Sequence, residues 1–418
     1  RVRRIAPAAR LLILSAVLPN GGEIASWLDP TNPHLAAVEW TPSRLNMGVF
    51  TWKGRNVDGQ QGFVEYRSSD ADHGFFLPYV LTRHQRRTKL FPSEVKDVAA
   101  ELAVHYQRMG PVLIAAPKKA STATIARAVR QAADRADVVL GADATGLVPS
   151  DLRAQRERLI EVITEYAGAD HELVDLVGEG IGYHHADVPE AIRHELEKAY
   201  RAGAIRILAA TSTLGQGVNL PAKTVIVAGV HRGHNDQLSV RDFLNTAGRA
   251  ARPFRETEGH VILIAKDERE ARRLRKRYLD SPTLEPVYST LVRLYIDLLR
   301  ARMPRRSQLL DGPDVPAGLD FTDPDSGTEA ADWAAVLDLQ LLAMLAEEVV
   351  DTDDEALLHD VIGQALGSTL AATQLGGRHY PLLPLTSFAG RRMRALTAQI
   401  PDGRLRSAYL RTGLSLSG

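Results

Sequence analysis

Residues 206–222 read RILAATSTLGQGVNLPA. An apolar run, "IRILAA" at 205–210, breaks into Thr211, Ser212 and Thr213. A loop holding Gly215, Gly217, Asn219 and Pro221 follows, and a second apolar run, "TVIVAGV", begins at 224. Two such runs bounded by turn residues are strands buried on both faces. The loop between them is small and polar. Small residues let a backbone approach a ligand closely, and hydroxyls and amides bond phosphate oxygens.

Outward from this stretch, strands alternate with helices. "SEVKDVAAELAVHYQRMG" (93–110) is an amphipathic helix with Ser93 as its N-cap, and "PVLIAAP" (111–117) is a buried strand. "STATIARAVRQAAD", capped by Ser121, and "DLRAQRERLIEVITEYAG" are helices, and "GIGYHHA" (180–186) is a short strand. "DVPEAIRHELEKAYRAG" (187–203) is a helix with Asp187 as N-cap, Glu190 three residues on and Gly203 past its end. "SVRDFLNTAGRAA" is a helix and "HVILIA" (260–265) a last strand. This order predicts an α/β fold with a parallel sheet covered by helices, whose ligands bind outside the carboxyl ends of the strands. The loop at 211–222 leaves such an end.

Before this region, "RLLILSA" (10–16) reads as a buried strand, "GEIASWL" as a short helix, and residues 38–66 as irregular β structure. After about 267 the strands stop. A charged helix follows ("DEREARRLRKRYLD"), then a linker at 311–330 rich in Asp, Gly, Pro, Ser and Thr, and two long helices at 332–350 and 353–376.

The chain has 418 residues, formal net charge zero, 44% apolar and 24% charged residues and no cysteine. The balance is that of a globular protein whose charge names no partner, so any nucleic-acid surface must come from local clustering. Basic clusters at Arg83–Lys89, Arg272–Arg277 and Arg391–Arg394 are candidates, with solvated faces as the plainer reading. Absence of cysteine excludes disulfides and thiolate metal sites and fits a reducing, cytoplasmic setting. No apolar stretch is long enough for a transmembrane helix. His184 and His185 lack a third ligand and, as strand neighbours, point oppositely, so no metal site is expected.

Four segments, in order, resemble the superfamily 2 helicases. "LLILSAVLPN" (11–20) looks like motif III and "GPVLIAAPKKASTATIARAV" (110–129) like the motif IV region. Residues 180–222 resemble motifs IVa and V of the Ski-like branch, and "FLNTAGRAARP" (243–253) resembles motif VI. The resemblance implies a RecA-like fold followed by a mainly α region, and an ATP-dependent helicase or translocase acting on single-stranded or partly duplex nucleic acid. It implies that Thr211 and Thr213 touch the sugar-phosphate backbone, and that Gly217, Asn219 and Asn245 lie near ATP. Arg252 is implied as the arginine finger with Arg249 its companion, a role suited to a planar guanidinium facing charge on a phosphoryl group. Ser15 is implied to couple hydrolysis to strand opening. Three positions depart from the pattern: Val17 stands where Thr is common, Asn245 where Gln is usual and Ala251 where Gly is usual.

No Gly-x-x-x-x-Gly-Lys-Ser/Thr loop occurs in the sequence, and the acidic "DDEA" at 353–356 follows motif VI where a magnesium box would precede motif III. The expected organisation is therefore the last strand of a truncated first RecA-like domain (1–20), a linker with irregular β structure (21–93), a second RecA-like domain (94–267) and helical winged-helix- or ratchet-like domains (268–418). Magnesium ligands are expected on the first domain, upstream, and negligible ATPase activity is expected of this chain alone. The alternative is a non-enzymatic nucleic-acid or protein-interaction module on a decayed RecA-like fold. Oligomeric state is not legible, and neither is a choice between DNA and RNA.

Overall fold

A computed structural model describes residues 11–15, 18–36, 43–68, 74–86, 88–211, 220–231, 237–251, 257–280, 284, 286–289, 291–292 and 355–376, with isolated positions between 386 and 405. The chain divides into two compact units, Val38–Glu285 and Arg1–Ala37 with Pro286–Gly418.

The first unit is built on one eight-stranded sheet. Its strands are β1 (Arg44–Trp52), β2 (Gln61–Ser68), β3 (Phe75–Thr82), β6 (Val112–Ala116), β7 (Ile181–His184), β8 (Ile207–Thr211), β9 (Thr224–Val227) and β10 (Glu258–Ile264). Their spatial order is β3-β2-β1-β10-β9-β6-β8-β7. A separate hairpin joins β4 (His84–Arg86) to β5 (Lys89–Phe91). Strands β6 to β10 and β1 pair in parallel, and β2 and β3 add antiparallel at the β1 side. The runs read as buried strands are buried along their whole length: Val112–Ala116, Ile181–His184, Ile207–Thr211 and Thr224–Val227. Strands closed to water on both faces come from continuous Val, Ile, Leu and Ala runs, as here.

Flanking helices are α2 (Val95–Tyr106), α3 (Lys119–Arg135), α4 (Ser150–Ala167), α5 (Leu173–Gly178), α6 (Glu190–Ala202), α7 (Val240–Ala247) and α8 (Glu268–Leu274), the last continued by a wide turn over Arg275–Asp280. The α/β reading of a helix-covered parallel sheet is what the structure has.

Four local expectations change. Residues 44–82, read as linker with irregular β structure, are β as expected at 38–66 but belong to the main sheet: β1 pairs Arg44–Phe50 with Glu258–Ile264, and β2 follows by hairpin. Glycine-rich turns masked that strand, yet "QGFVEYR" alternates as a half-buried strand should, with Gly62, Val64 and Tyr66 buried and Gln61, Phe63 and Glu65 partly open. Leu11–Ser15 forms no strand: Leu12 and Leu14 are more than 80% exposed. A strand exists by pairing, and among the described residues none pairs with this run. The residues read as caps sit near their helices without capping them: α2, α3 and α6 begin after Glu94, Lys118 and Pro189. Asp187 instead binds Lys119 Nζ at 2.7 Å. The helix expected at 353–376 is broken into Glu355–Gly367 and Leu370–Gly376, with Gly367, Ser368 and Thr369 at the break.

In the second unit the first helix of the chain, α1 (Gly21–Leu28), is tied down by polar side chains. The Asn20 amide donates to Val287 O at 3.0 Å while its Oδ1 accepts from Val287 N at 2.8 Å. Buried Gln374 donates to Val287 O and Glu23 Oε2 and accepts from Ser289 N.

Candidate nucleotide and nucleic-acid face

The candidate residues gather at the carboxyl ends of β7 and β8. Thr211 closes β8 opposite Ala116 of β6 and is buried. The loop leaving it returns at Leu220–Ala222, where its exit is fixed to the segment after α7. Ala222 N donates to Arg249 O and Ala251 N donates to Ala222 O, both at 2.8 Å. Ala222 and Ala250 thereby form a parallel bridge. The two regions read as motifs V and VI are thus joined backbone to backbone.

Helix α7 is anchored at its start. Ser239 Oγ accepts from Asp242 N at 3.0 Å as a true N-cap. Phe243 is fully buried against Tyr278, whose hydroxyl donates to Leu238 O at 2.7 Å. On this helix Asn245 is exposed. Arg249, just past the helix end, is partly buried. Burial lowers its guanidinium pKa, and the electrostatic pull of Tyr200 and Glu197 opposes that fall.

His184 ends β7 with no exposure, and its Nε2 lies 2.9 Å from Glu197 Oε1 on α6. Burial holds its pKa below the usual imidazole value, against the pull of Glu197. A neutral ring facing a carboxylate must carry its proton on Nε2. His185 points the other way, its ring stacked 5.7 Å from Tyr183.

Ala251, where a glycine was expected, has φ +69°, the left-handed region. Beneath it lies Gly259 of β10. A Cβ there would sit 2.5 Å from Ala251 N and 2.8 Å from Ala250 C.

Of the residues singled out in the sequence, Thr211, Asn245 and Arg249 lie at this face. Ser15 belongs to the other unit and is exposed. Thr213, Gly217, Asn219 and Arg252 lie outside the described residues, as does Val17. Arg83, counted among basic candidates, is a core residue. It stacks 4.3 Å over Trp52 and donates to Asn56, Gln60 and Pro92. Sequence reasoning missed Glu197, whose only signal is its place one turn before Tyr200 on the buried face of α6.

Residues 147–253 match the family model for the helicase conserved C-terminal domain. This region is similar to the C-terminal domain of helicases. The chain is 28% identical over 283 residues to the ATP-dependent DNA helicase Hel308 of Pyrobaculum calidifontis, covering 67% of this chain and 34% of the relative. It is 29% identical over 267 residues to the Hachiman protein HamB of Bacillus cereus, covering 60% and 22%. The Hel308 of Methanocella arvoryzae is 26% identical over 287 residues, covering 67% and 33%. The chain therefore spans about a third or less of the length of these relatives.

Proposed function

We propose that this chain supplies one wall of the ATP site and part of the nucleic-acid track of a helicase or translocase with Ski-like architecture. The observation that carries the reading is the backbone bridge between the end of the 211–222 loop and the Arg249 segment. It ties the exit of the proposed nucleic-acid-contacting loop to the segment of the proposed phosphate-facing arginine, a link through which nucleotide state and grip on the strand would change together. Thr211 and Thr213 contact the sugar-phosphate backbone without reading bases. Arg252 and Arg249 face the γ-phosphate, with Gly217, Asn219 and Asn245 beside the nucleotide. Ser15 couples hydrolysis to strand opening.

The described donors at this face are guanidinium, amide and hydroxyl groups, a set that fits phosphate oxygens. Its carboxylate, Glu197, is engaged by His184. Bound magnesium would neutralise charge on the phosphates, from ligands on an opposing domain. We propose DNA as the first substrate to test, because two of the relatives are named DNA helicases. We further propose that the 418-residue chain alone hydrolyses ATP negligibly, since it contains no phosphate-cradling Gly-Lys-Ser/Thr loop.

The test is ATP hydrolysis by the full-length protein with and without single-stranded DNA or RNA. Stimulated turnover that falls about 100-fold or more in Arg249→Ala or Arg252→Ala is the expected result. Strand binding without any hydrolysis would sink the motor and favour the non-enzymatic module. Arg252-dependent turnover by the 418-residue chain itself would refute the half-site.

A further inference from the structure

Three neighbouring strands bury a polar side chain at one level of the sheet. The register sets Asn46 of β1 beside His260 of β10, and His260 beside Thr224 of β9. Register partners in parallel strands stand on the same face, with the strands about 4.8 Å apart. The three side chains therefore form a row near the start of their strands. All three are closed to solvent: Asn46 is 2% exposed, His260 5% and Thr224 0%. Tyr66 and Tyr106 roof the row, their rings 5.5 Å and 6.0 Å from that of His260. The two tyrosine hydroxyls bond each other at 2.9 Å.

Four polar atoms of this row have no hydrogen-bond partner among the described residues: Asn46 Oδ1, both ring nitrogens of His260 and Thr224 Oγ1. A buried polar atom left unpaired bears the full cost of its desolvation, so such atoms pair with protein or with ordered water. His260 Nε2 lies 3.9 Å from Glu258 Oε1, too far for a direct hydrogen bond. Asn46 Nδ2 donates to the other oxygen of the same carboxylate at 3.3 Å. Nε2 is thus the ring nitrogen on the side of Glu258 and β1, which leaves Nδ1 for the side of β9. Polar atoms on strands about 4.8 Å apart are spaced for one molecule that bonds both at about 2.8 Å.

We propose that the row is a binding site for two buried water molecules, one on each ring nitrogen of His260. The first accepts from Nε2–H and donates to Asn46 Oδ1 and Glu258 Oε1, the three partners a buried water ordinarily has. The second donates to Nδ1 and shares a hydrogen bond with Thr224 Oγ1. Donors and acceptors then balance for a neutral imidazole whose proton sits on Nε2, beside the carboxylate. The Glu258 side chain is 39% exposed and stands between the row and solvent, which gives water its way in. A one-residue slip of β10 would turn His260 to the other face and leave the row unsatisfied, so the site also specifies strand register. It holds the start of β9 two residues after Ala222, whose bridge fixes the Arg249 segment. The site does not depend on the motor reading.

A crystal structure of the 418-residue chain that resolves ordered water tests the site directly. Water density within hydrogen-bond distance of each His260 ring nitrogen is expected. A ring nitrogen without one overturns the proposal, whether that nitrogen bonds a side chain directly or bonds nothing. Ring nitrogen-15 shifts give a second readout in solution. At neutral pH they are expected to show the Nε2–H tautomer, with Nδ1 upfield of an acceptor nitrogen that has no partner. The opposite tautomer overturns the assignment. Thr224→Val keeps the branched shape and removes the hydroxyl. It is expected to lose the second water alone, moving Nδ1 towards the unbonded value and leaving Nε2–H in place. An unchanged Nδ1 shift in T224V overturns the bridge to Thr224. Should T224V fail to fold, the wild-type density and tautomer decide.

Discussion

Arg156 and Gly180 make a sharp test of how the sheet unit is held together. Arg156 of α4 is 5% exposed and donates to three backbone carbonyls: Ala204 O at 2.8 Å, Leu140 O at 2.8 Å and Gly178 O at 3.0 Å. One guanidinium thus closes three loop ends, and its burial lowers its pKa. Gly180, at the entry to β7, has φ +80°, and a Cβ there would lie 2.4 Å from Arg156 Nη2. Gly180→Ala therefore has two costs. Holding alanine in the left-handed region costs about 1–2 kcal/mol. Pushing the guanidinium aside costs the Leu140 bond, a charged hydrogen bond of about 1.5–3 kcal/mol. The sum is about 4 kcal/mol. In an Arg156→Met background the second cost has already been taken, and the next atom is Leu140 O at 3.4 Å, a tolerable contact. There Gly180→Ala should cost only about 1–2 kcal/mol, a coupling of about 2 kcal/mol. Amide hydrogen exchange across Ile207–Thr211 in the intact chain reads the opening free energy of this unit without needing the other unit to be two-state. Equal penalties for Gly180→Ala in the two backgrounds would refute the reasoning.

His260 sits in the core with neither ring nitrogen hydrogen-bonded, and burial lowers its pKa from 6.5, opposed by Glu258 and reinforced by Lys223. The unfolded chain then binds the proton first, so stability is complete above about pH 6.5 and falls as pH drops from there towards the folded value, by up to about 1.4 kcal/mol per pH unit. His260→Phe should flatten that acid limb in urea melts at pH 5 to 7, and an unchanged slope would rule His260 out as its source. Tyr278→Phe removes one buried hydrogen bond to Leu238 O ahead of the α7 cap, an expected loss of about 1 kcal/mol by hydrogen exchange in α7. No measurable change there would mean that the cap alone holds the helix start.

The parallel core was legible because burial on both faces writes itself as unbroken Val, Ile, Leu and Ala runs. All five strands read that way between 111 and 265 are present. Leu11–Ser15 has the same composition and no strand, because composition reports the cost of exposure and not the presence of a neighbour. Strands β1 to β3 were obscured because their glycines serve close packing rather than turns: a Cβ on Gly48 would meet Tyr66 and Val64 within 2.8 Å, and one on Gly62 would meet Phe50. At the candidate face, Arg249 could be read from its motif spacing, whereas Glu197 could not. Its partner His184 is thirteen positions away, across the turn from β7 to α6, and only the returning helix brings the two together.

The substitution of alanine at 251 bears on whether this domain is a motor or a relic. A relic has no reason to retain a strained backbone, yet Ala251 keeps φ +69°, the geometry in which glycine is free and alanine costs about 1–2 kcal/mol. What retains it is the bridge to Ala222 above and Gly259 below. Gly259→Ala tests this directly. Its Cβ would meet Ala251 N at 2.5 Å and both Ala250 C and Ala251 Cβ at 2.8 Å, and the first two are backbone atoms that no rotamer can move. The Arg249 segment must then lift from β10, breaking the Ala251–Ala222 hydrogen bond. Removing the Ala251 methyl cannot relieve a contact made by its own backbone, so Gly259→Ala with Ala251→Gly should be as defective as Gly259→Ala alone. Stimulated hydrolysis by the full-length double variant measures this. Recovery of turnover would show that the methyl, and not the bridge, sets the position of the arginine segment.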